Sequence, residues 1–186
     1  MKLVRQFPVG LALSLSEVKA YLKITHPNED KLLTHLIRTA EDLLGERHGH
    51  YALTRQLEIT TPLVYPKPSG LRRYVHRLYY HYPFASLALT PIQSIDRVMI
   101  QRDDGEQKEL DPHRWKMMET HWPKQLTVKV MEGQSATIRV TVGYGEDPDT
   151  VPSMLRHQIL SLVQRLYKNR GSLEEQTTPF PRRLSL

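Results

Sequence analysis

Val142-Gly-Tyr-Gly-Glu-Asp-Pro-Asp-Thr-Val-Pro-Ser-Met-Leu-Arg-His-Gln-Ile-Leu-Ser-Leu-Val-Gln-Arg-Leu-Tyr-Lys-Asn-Arg170 is the stretch of this 186-residue chain in which two structural periods meet. Just upstream, Thr137 to Val142 alternates apolar and polar residues, the period-2 pattern of a half-buried strand. Gly143-Tyr-Gly145 and Asp147-Pro148 end that pattern with turn residues. Pro152 then suits a first helical turn, where its missing N–H costs nothing. Leu155, Ile159, Leu162, Val163 and Leu166 fall on one stripe at helical spacing. The spacing predicts a helix over 152–170, with Gly171 as its stop. Strand followed by helix in one continuous segment points to an α+β domain.

Upstream of this stretch the chain reads as β-rich from about 52 to 142. Leu53, Arg55, Leu57 and Ile59 alternate with Thr54, Gln56, Glu58 and Thr60, which predicts a strand. Pro62, Pro66, Pro68 and Gly70 follow and cannot occupy a sheet centre. Ser86–Leu89 reads as a short strand. Ile95–Gln101, the turn Asp103-Asp-Gly105 and Gln107–Leu110 read as a hairpin. Leu126–Val130 and Thr137–Val142 read as a second hairpin around Glu132-Gly133.

The N-terminal third is helical. Ser14-Leu-Ser-Glu17 has capping-box spacing, in which the Ser caps free N–H groups and the Glu reaches back. It predicts a helix over 15–24 with Leu15, Val18 and Leu22 inward and Tyr21 as a marginal fourth. Pro27 breaks it. Asn28 is the expected N-cap of a second helix over 29–47, with Glu29 and Asp30 at its positive end. Leu32, Leu33, Leu36, Ile37, Ala40, Leu43 and Leu44 form its apolar stripe, and Gly45 or Gly49 ends it. The expected architecture is one α+β domain over 1–171. A helical bundle, two N-terminal helices plus a long C-terminal one, carries a hairpin-rich insert and an extended tail at 172–186.

Composition narrows the function classes. With no Cys, the chain has no disulfide scaffold, thiolate zinc site or cysteine nucleophile. No apolar run approaches the roughly 20 residues of a membrane helix. Lys2 and Arg5 precede a modest apolar stretch, Phe7 to Leu15, but Pro8 and Gly10 interrupt it, so it reads as a structured arm and not a secretory leader. The net charge of +6 is unevenly spread: +1 over 1–60, +4 over 61–90, −3 over 91–150 and +4 over 151–186. Two basic patches separated by an acidic region favour separate acidic partners.

No catalytic constellation emerges. His48-Gly-His50, with His26 or His35, lacks the spacing and partners of a zinc site and reads as a surface pair after a helix end. Gly143-Tyr-Gly145 precedes an acidic turn, not a phosphate-holding helix start. Asp103, Asp104, Glu106 and Glu109 suit a solvated hairpin tip. No cofactor, metal or catalytic residue is assigned, and the chain is not read as an enzyme. The more unusual segment is Arg72-Arg-Tyr-Val-His-Arg-Leu-Tyr-Tyr-His-Tyr82. Guanidinium groups bind phosphates and aromatic faces stack on bases, so a small basic nucleic-acid-binding protein using 72–82 is one reading. Tyr and Arg are also enriched at protein interfaces, which is the favoured reading.

Three stretches in order resemble the head–tail connector (adaptor) family of long-tailed bacteriophages and gene transfer agents. They are Leu13-Ser-Leu-Ser-Glu-Val-Lys-Ala-Tyr-Leu-Lys-Ile24 with the Leu-rich helix through Glu46, Leu87-Ala-Leu-Thr-Pro-Ile-Gln-Ser-Ile-Asp-Arg-Val98, and the opening stretch with its Gly-Tyr-Gly, Val-Pro and Tyr-x-x-Arg features. The match covers about 12–171. The segment 62–86 is longer than the family's usual link, and the tail beyond 171 has no counterpart. The resemblance implies a structural virion protein at the head–tail junction, held in the bacterial host cytoplasm before assembly. It implies a homo-oligomeric ring, usually twelve-fold, under the portal protein, with a tail or stopper protein docked on it. Genome DNA would pass non-specifically through the channel, with no membrane partner. Under it, Arg156, Arg165, Tyr167, Lys168, Arg170, Arg182 and Arg183 are the portal-docking candidates. Arg72, Arg73, Tyr74, Arg77, Tyr79 and Tyr80 are the candidates for a subunit or tail-side interface.

Overall fold

The structure, a computed structural model, describes residues 2–6 as backbone, and 8, 10–65, 82–102, 105–118, 123–130 and 133–169. Arg72, Arg73, Tyr74, Arg77, Tyr79 and Tyr80 lie outside the described residues, as do Arg170, Gly171, Arg182, Arg183 and the rest of the tail.

Three helices and eight strands make up the described chain. Helix α1 spans Leu15–Leu22. Ser14 caps it as expected, its hydroxyl accepting the Glu17 N–H at 3.1 Å. The helix stops two residues early because Lys23 adopts a left-handed conformation that returns its N–H to Ala20 and Lys19. Val18 is buried, whereas Tyr21 is 38% exposed and is not an inward residue.

Helix α2 spans Asp30–His48. Its N-cap position is held by Glu29, not Asn28, and no side chain caps it there. A turn in which Asp30 N–H meets Pro27 O at 3.1 Å shifts the start by one residue. Gly45 lies inside the helix against the Tyr51 ring, and Gly49 is the C-cap at φ 70°. Helix α3 spans Ser153–Lys168 and buries Leu155, Ile159, Leu162 and Val163. The three helices share one apolar cluster, which also takes in Ala12, Leu13, Ala52, Leu53 and Val151.

The strands are β1 (Lys2–Gln6), β2 (Arg55–Pro62), β3 (Phe84–Leu87), β4 (Ile92–Gln101), β5 (Gln107–Glu109), β6 (Trp115–Met118), β7 (Lys124–Val128) and β8 (Ser135–Val142). They form two antiparallel sheets, ordered β1-β2-β8-β4-β5 and β3-β7-β6. Strand β8 is central, burying Ala136, Ile138, Val140 and Val142 at alternate positions. A second apolar cluster joins that face to Ala85, Leu87, Leu126 and Val128 of the smaller sheet.

The β4–β5 hairpin forms as expected. The second expected hairpin does not: β7 pairs with β3 and β6, while β8 lies between β2 and β4. The reason is ladder length. Strand β8 pairs along its whole length with β2, from Val142 opposite Arg55 to Ser135 opposite Pro62, and over the same span with β4, with two register shifts. The shorter β7 could satisfy only part of that edge. The hairpin-rich insert is therefore two sheets sharing a core, with β1 and β6 added to the strands expected from sequence.

Residues 49–54 are the seam between sheets and helices. Tyr51 belongs to the sheet cluster, while Ala52 and Leu53 belong to the helical one. Tyr51 N–H donates to Thr90 O at 3.1 Å, Thr90 N–H to Gly49 O at 2.8 Å, and Tyr144 N–H to Ala52 O at 2.9 Å. Gly143, at φ 115°, lets backbone meet backbone here: a Cβ would lie 2.4 Å from the Leu53 carbonyl. The Gly-Tyr-Gly stretch is thus a close-packing device.

Candidate assembly surfaces and a buried charge site

Among the described residues, a polar contact joins each pair of helices at its rim. Lys19 Nζ of α1 meets Asp30 Oδ1 of α2 at 2.8 Å. Arg156 Nη2 of α3 meets Glu17 Oε2 of α1 at 2.7 Å. Tyr167 of α3 donates its hydroxyl to Glu29 Oε2, at the head of α2, at 2.5 Å. Glu17 therefore does not close the capping box, because its carboxylate is turned to Arg156.

These contacts sort the portal-docking candidates. Arg156 sits in the first turn of α3, with Nη1 also on Pro148 O at 3.1 Å and Asp149 Oδ1 at 3.3 Å. Its guanidinium is engaged within the fold. Arg165 and Tyr167 are half-buried in the last turn, and Lys168 is exposed there. At 1.5 Å rise per residue the two groups stand roughly 15 Å apart along the helix. Arg165, Tyr167 and Lys168 share the last turn of α3, but Arg165 and Tyr167, two residues apart, leave opposite sides of the helix and the Tyr167 hydroxyl is engaged with Glu29; Arg156 lies at the other end. Near Arg156 in sequence, Met154 is 69% exposed, the most exposed of the large apolar side chains described.

The five-stranded sheet has a polar face knitted across its strands. Arg139 donates to Glu58 at 3.1 Å, and Thr60 and Thr137 hydroxyls are 3.0 Å apart, both between register partners on β2 and β8. Asp96 accepts from Gln56 at 3.0 Å and from Thr141 at 2.9 Å. At the hairpin, Glu109 pairs with Arg97 and Glu106 with Arg102.

The titratable site that sequence reasoning missed is buried. Glu41 and Arg55 are each 3% exposed. Glu41 Oε1 accepts the Ala12 N–H at 2.6 Å. Arg55 Nη1 pairs with Asp42 Oδ1 at 2.7 Å, and its Nη2 lies 3.9 Å from Glu41 Oε2. The guanidinium also lies over the Tyr51 ring, 5.3 Å from its centroid. Burial raises the Glu41 carboxyl from the ordinary glutamate value to about 7, against the opposing pull of the Ala12 N–H and of Arg55. A hollow of about 310 Å³ adjoins it, lined by Pro8, Gly10, Arg38, Glu41, Asp42 and Arg55. The signal was present in the sequence: Glu41 lies four residues after Ile37, on the apolar stripe, and Arg55 holds an apolar phase of its strand.

His50 is half-buried, and burial together with its neighbour His48 lowers its pKa. Among the described residues no three His, Cys, Asp or Glu side chains are grouped to hold a metal ion, and no helix is long and apolar enough to cross a membrane.

No protein-family model and no curated protein matches the chain. Solved structures do. The neck of an empty gene transfer agent particle computed with C6 symmetry matches at a TM-score of 0.66 and 14% identity, over 97% of this chain and 90% of that one. The virion of a native gene transfer agent particle matches at 0.64, with 14% identity over 97% and 89%. The neck of the native particle computed with C12 symmetry matches at 0.61, with 14% identity over 96% and 88%. The fold is theirs nearly end to end. At this identity the likeness is one of fold, shared by helices and sheets alike.

Proposed function

We propose that this chain is a structural subunit of the neck of a tailed particle, phage or gene transfer agent: a head–tail connector that assembles as a closed ring. The observation that carries this reading is the fold likeness, which spans both clusters and the seam between them. The cyclic symmetry of the matched necks supports a heterologous, ring-closing interface, in which each subunit presents two different faces. On this reading the ring is twelve-fold, sits beneath the portal protein, gives a tail or stopper protein its docking surface, and passes genome DNA without reading its sequence. It performs no catalysis.

The geometry suggests a division of labour among the docking candidates. Arg165 and Lys168 stand where α3 runs toward Arg170 and the tail with Arg182 and Arg183, and together they form the portal-docking element, with Tyr167 holding that turn to α2 through Glu29. Arg156 contributes by fixing α3 to α1. The 66–82 excursion, with Arg72, Arg73, Tyr74, Arg77, Tyr79 and Tyr80, reaches a neighbouring subunit or the tail-side protein.

Electron microscopy of the full chain mixed with the portal protein of the same particle tests this. Rings capping the portal are expected. Deleting 172–186 is expected to leave a folded chain that no longer joins filled heads to tails. Normal joining by that truncation overturns the docking assignment. Tight binding to short DNA that weakens steeply with salt, without rings, favours instead a nucleic-acid-binding protein using 72–82.

A further inference from the structure

The apolar stripe of α2 contains one carboxylate, Glu41, and the groups around it leave its charge poorly matched. From β2 comes Arg55, but that guanidinium is committed at 2.7 Å to Asp42 and lies 3.9 Å from Glu41. From α2 itself come Asp42, of like charge, and Arg38, which is exposed. Among the described side chains of the arm, Pro8, Gly10, Leu11, Ala12 and Leu13 bring no titratable group, and Ala12 contributes its N–H. One buried guanidinium thus serves two carboxylates, and the closer one takes it.

The arm is what completes the burial. Ala12 and Leu13 are fully buried against the helical cluster, and Pro8 and Gly10 wall the hollow beside Glu41. The same arm begins as β1, paired with β2, the strand that carries Arg55. Withdrawing residues 10–13 removes the Ala12 N–H and opens Glu41 to water through the hollow. A hydrated carboxylate carries its charge freely, whereas a buried one bears a desolvation penalty that a single N–H bond offsets only in part.

We propose that Glu41 is a proton-operated latch on the N-terminal arm: its neutral carboxyl holds residues 10–13 against α2, and its ionisation favours an opened arm with water in the hollow. The latch belongs to this chain's own residues and does not depend on the connector reading.

The sign follows from the two forms of the carboxyl. Closed, burial raises it to about 7; with the arm withdrawn and the carboxyl hydrated, it is expected near the ordinary 4.5. Below 4.5 both forms are neutral and closure is favoured in full. Between the two values the closed form holds a proton that the open form has lost, so closure weakens as pH rises. Above about 7 both are ionised and the loss is complete. From pH 5.5 to 8 this linkage weakens closure about 25-fold.

Amide hydrogen exchange and carboxyl NMR on the full wild-type chain test the latch together. The expected result is a Glu41 carboxyl titrating near neutrality, with an Ala12 protection factor, corrected for intrinsic exchange, that falls about 25-fold over the same range. Glu41→Gln, which keeps an acceptor for the Ala12 N–H and removes the charge, is expected to flatten the Ala12 profile. Should that variant not fold, the wild-type pair of measurements decides alone. A Glu41 carboxyl that titrates in the ordinary glutamate range, or an Ala12 protection factor flat from pH 5.5 to 8, overturns the proposal.

Discussion

The helical region and the sheet region secure their polar surfaces differently. In the sheets, Glu58–Arg139 and Thr60–Thr137 are register partners on β2 and β8. Once the strands pair, those side chains stand opposite one another with no further choice. In the helices, Glu17–Arg156 and Glu29–Tyr167 join residues more than a hundred positions apart, on helices whose contact is set only by how the cores dock. A sheet contact is a consequence of register. A helix contact is a consequence of tertiary packing, and it reports whether α3 has returned to the right place.

The largest effects belong to the two cores. Ile138 centres the sheet cluster and Ile159 the helical one, and both are fully buried. Ile138→Ala and Ile159→Ala are each expected to cost about 3 kcal/mol in chemical denaturation. Amide exchange then sharpens the comparison. If the seam makes one cooperative unit, either variant lowers protection in helices and sheets alike; a loss confined to the mutated side would break the chain into two independently stable regions.

The seam itself comes next. Gly49→Ala places a Cβ 1.8 Å from Ala88 O at φ 70°, and a loss of about 2–3 kcal/mol in thermal or denaturant unfolding is expected. An unchanged midpoint would mean that helix and sheet can separate there without loss.

The rim pairs are smallest. Double-mutant cycles on Glu17–Arg156 and Glu58–Arg139 are expected to give couplings of about 0.5 kcal/mol each, reduced by salt, because both pairs touch solvent. A coupling several times larger at Glu17–Arg156 would show that helix docking depends on that link beyond its exposed geometry.

Much of this was legible in particular residues. The stripe Leu155, Ile159, Leu162 and Val163 and the alternation of β8 were readable because each depends on spacing along one segment. Ser14 was readable as a cap because capping is local. The pairing of β7 was not, since Leu126 and Val128 alternate equally well whichever strand lies beside them. Asn28 misled because a turn from Pro27 to Asp30 moved the cap to Glu29. At the candidate surfaces, Arg165, Tyr167 and Lys168 lie in one helical turn because they are close in sequence, while packing turned the Tyr167 hydroxyl onto Glu29. Arg156, farther off in sequence, stands apart from them. Glu41 and Arg55 stood in apolar phases of their elements, but nothing local brought them together.

The sequence by itself determined most of the elements, though not β1 or β6: three amphipathic helices, a β-rich middle and the glycines that punctuate them. These depend on backbone preference and on periods of 3.6 and 2, which neighbouring residues encode. Only the tertiary structure decided which strands share a sheet, which face of α3 meets α1 and α2, and that a carboxylate and a guanidinium from different elements would be buried side by side. Those outcomes rest on contacts between distant residues, chosen by the burial of whole surfaces and not by any single stretch of chain.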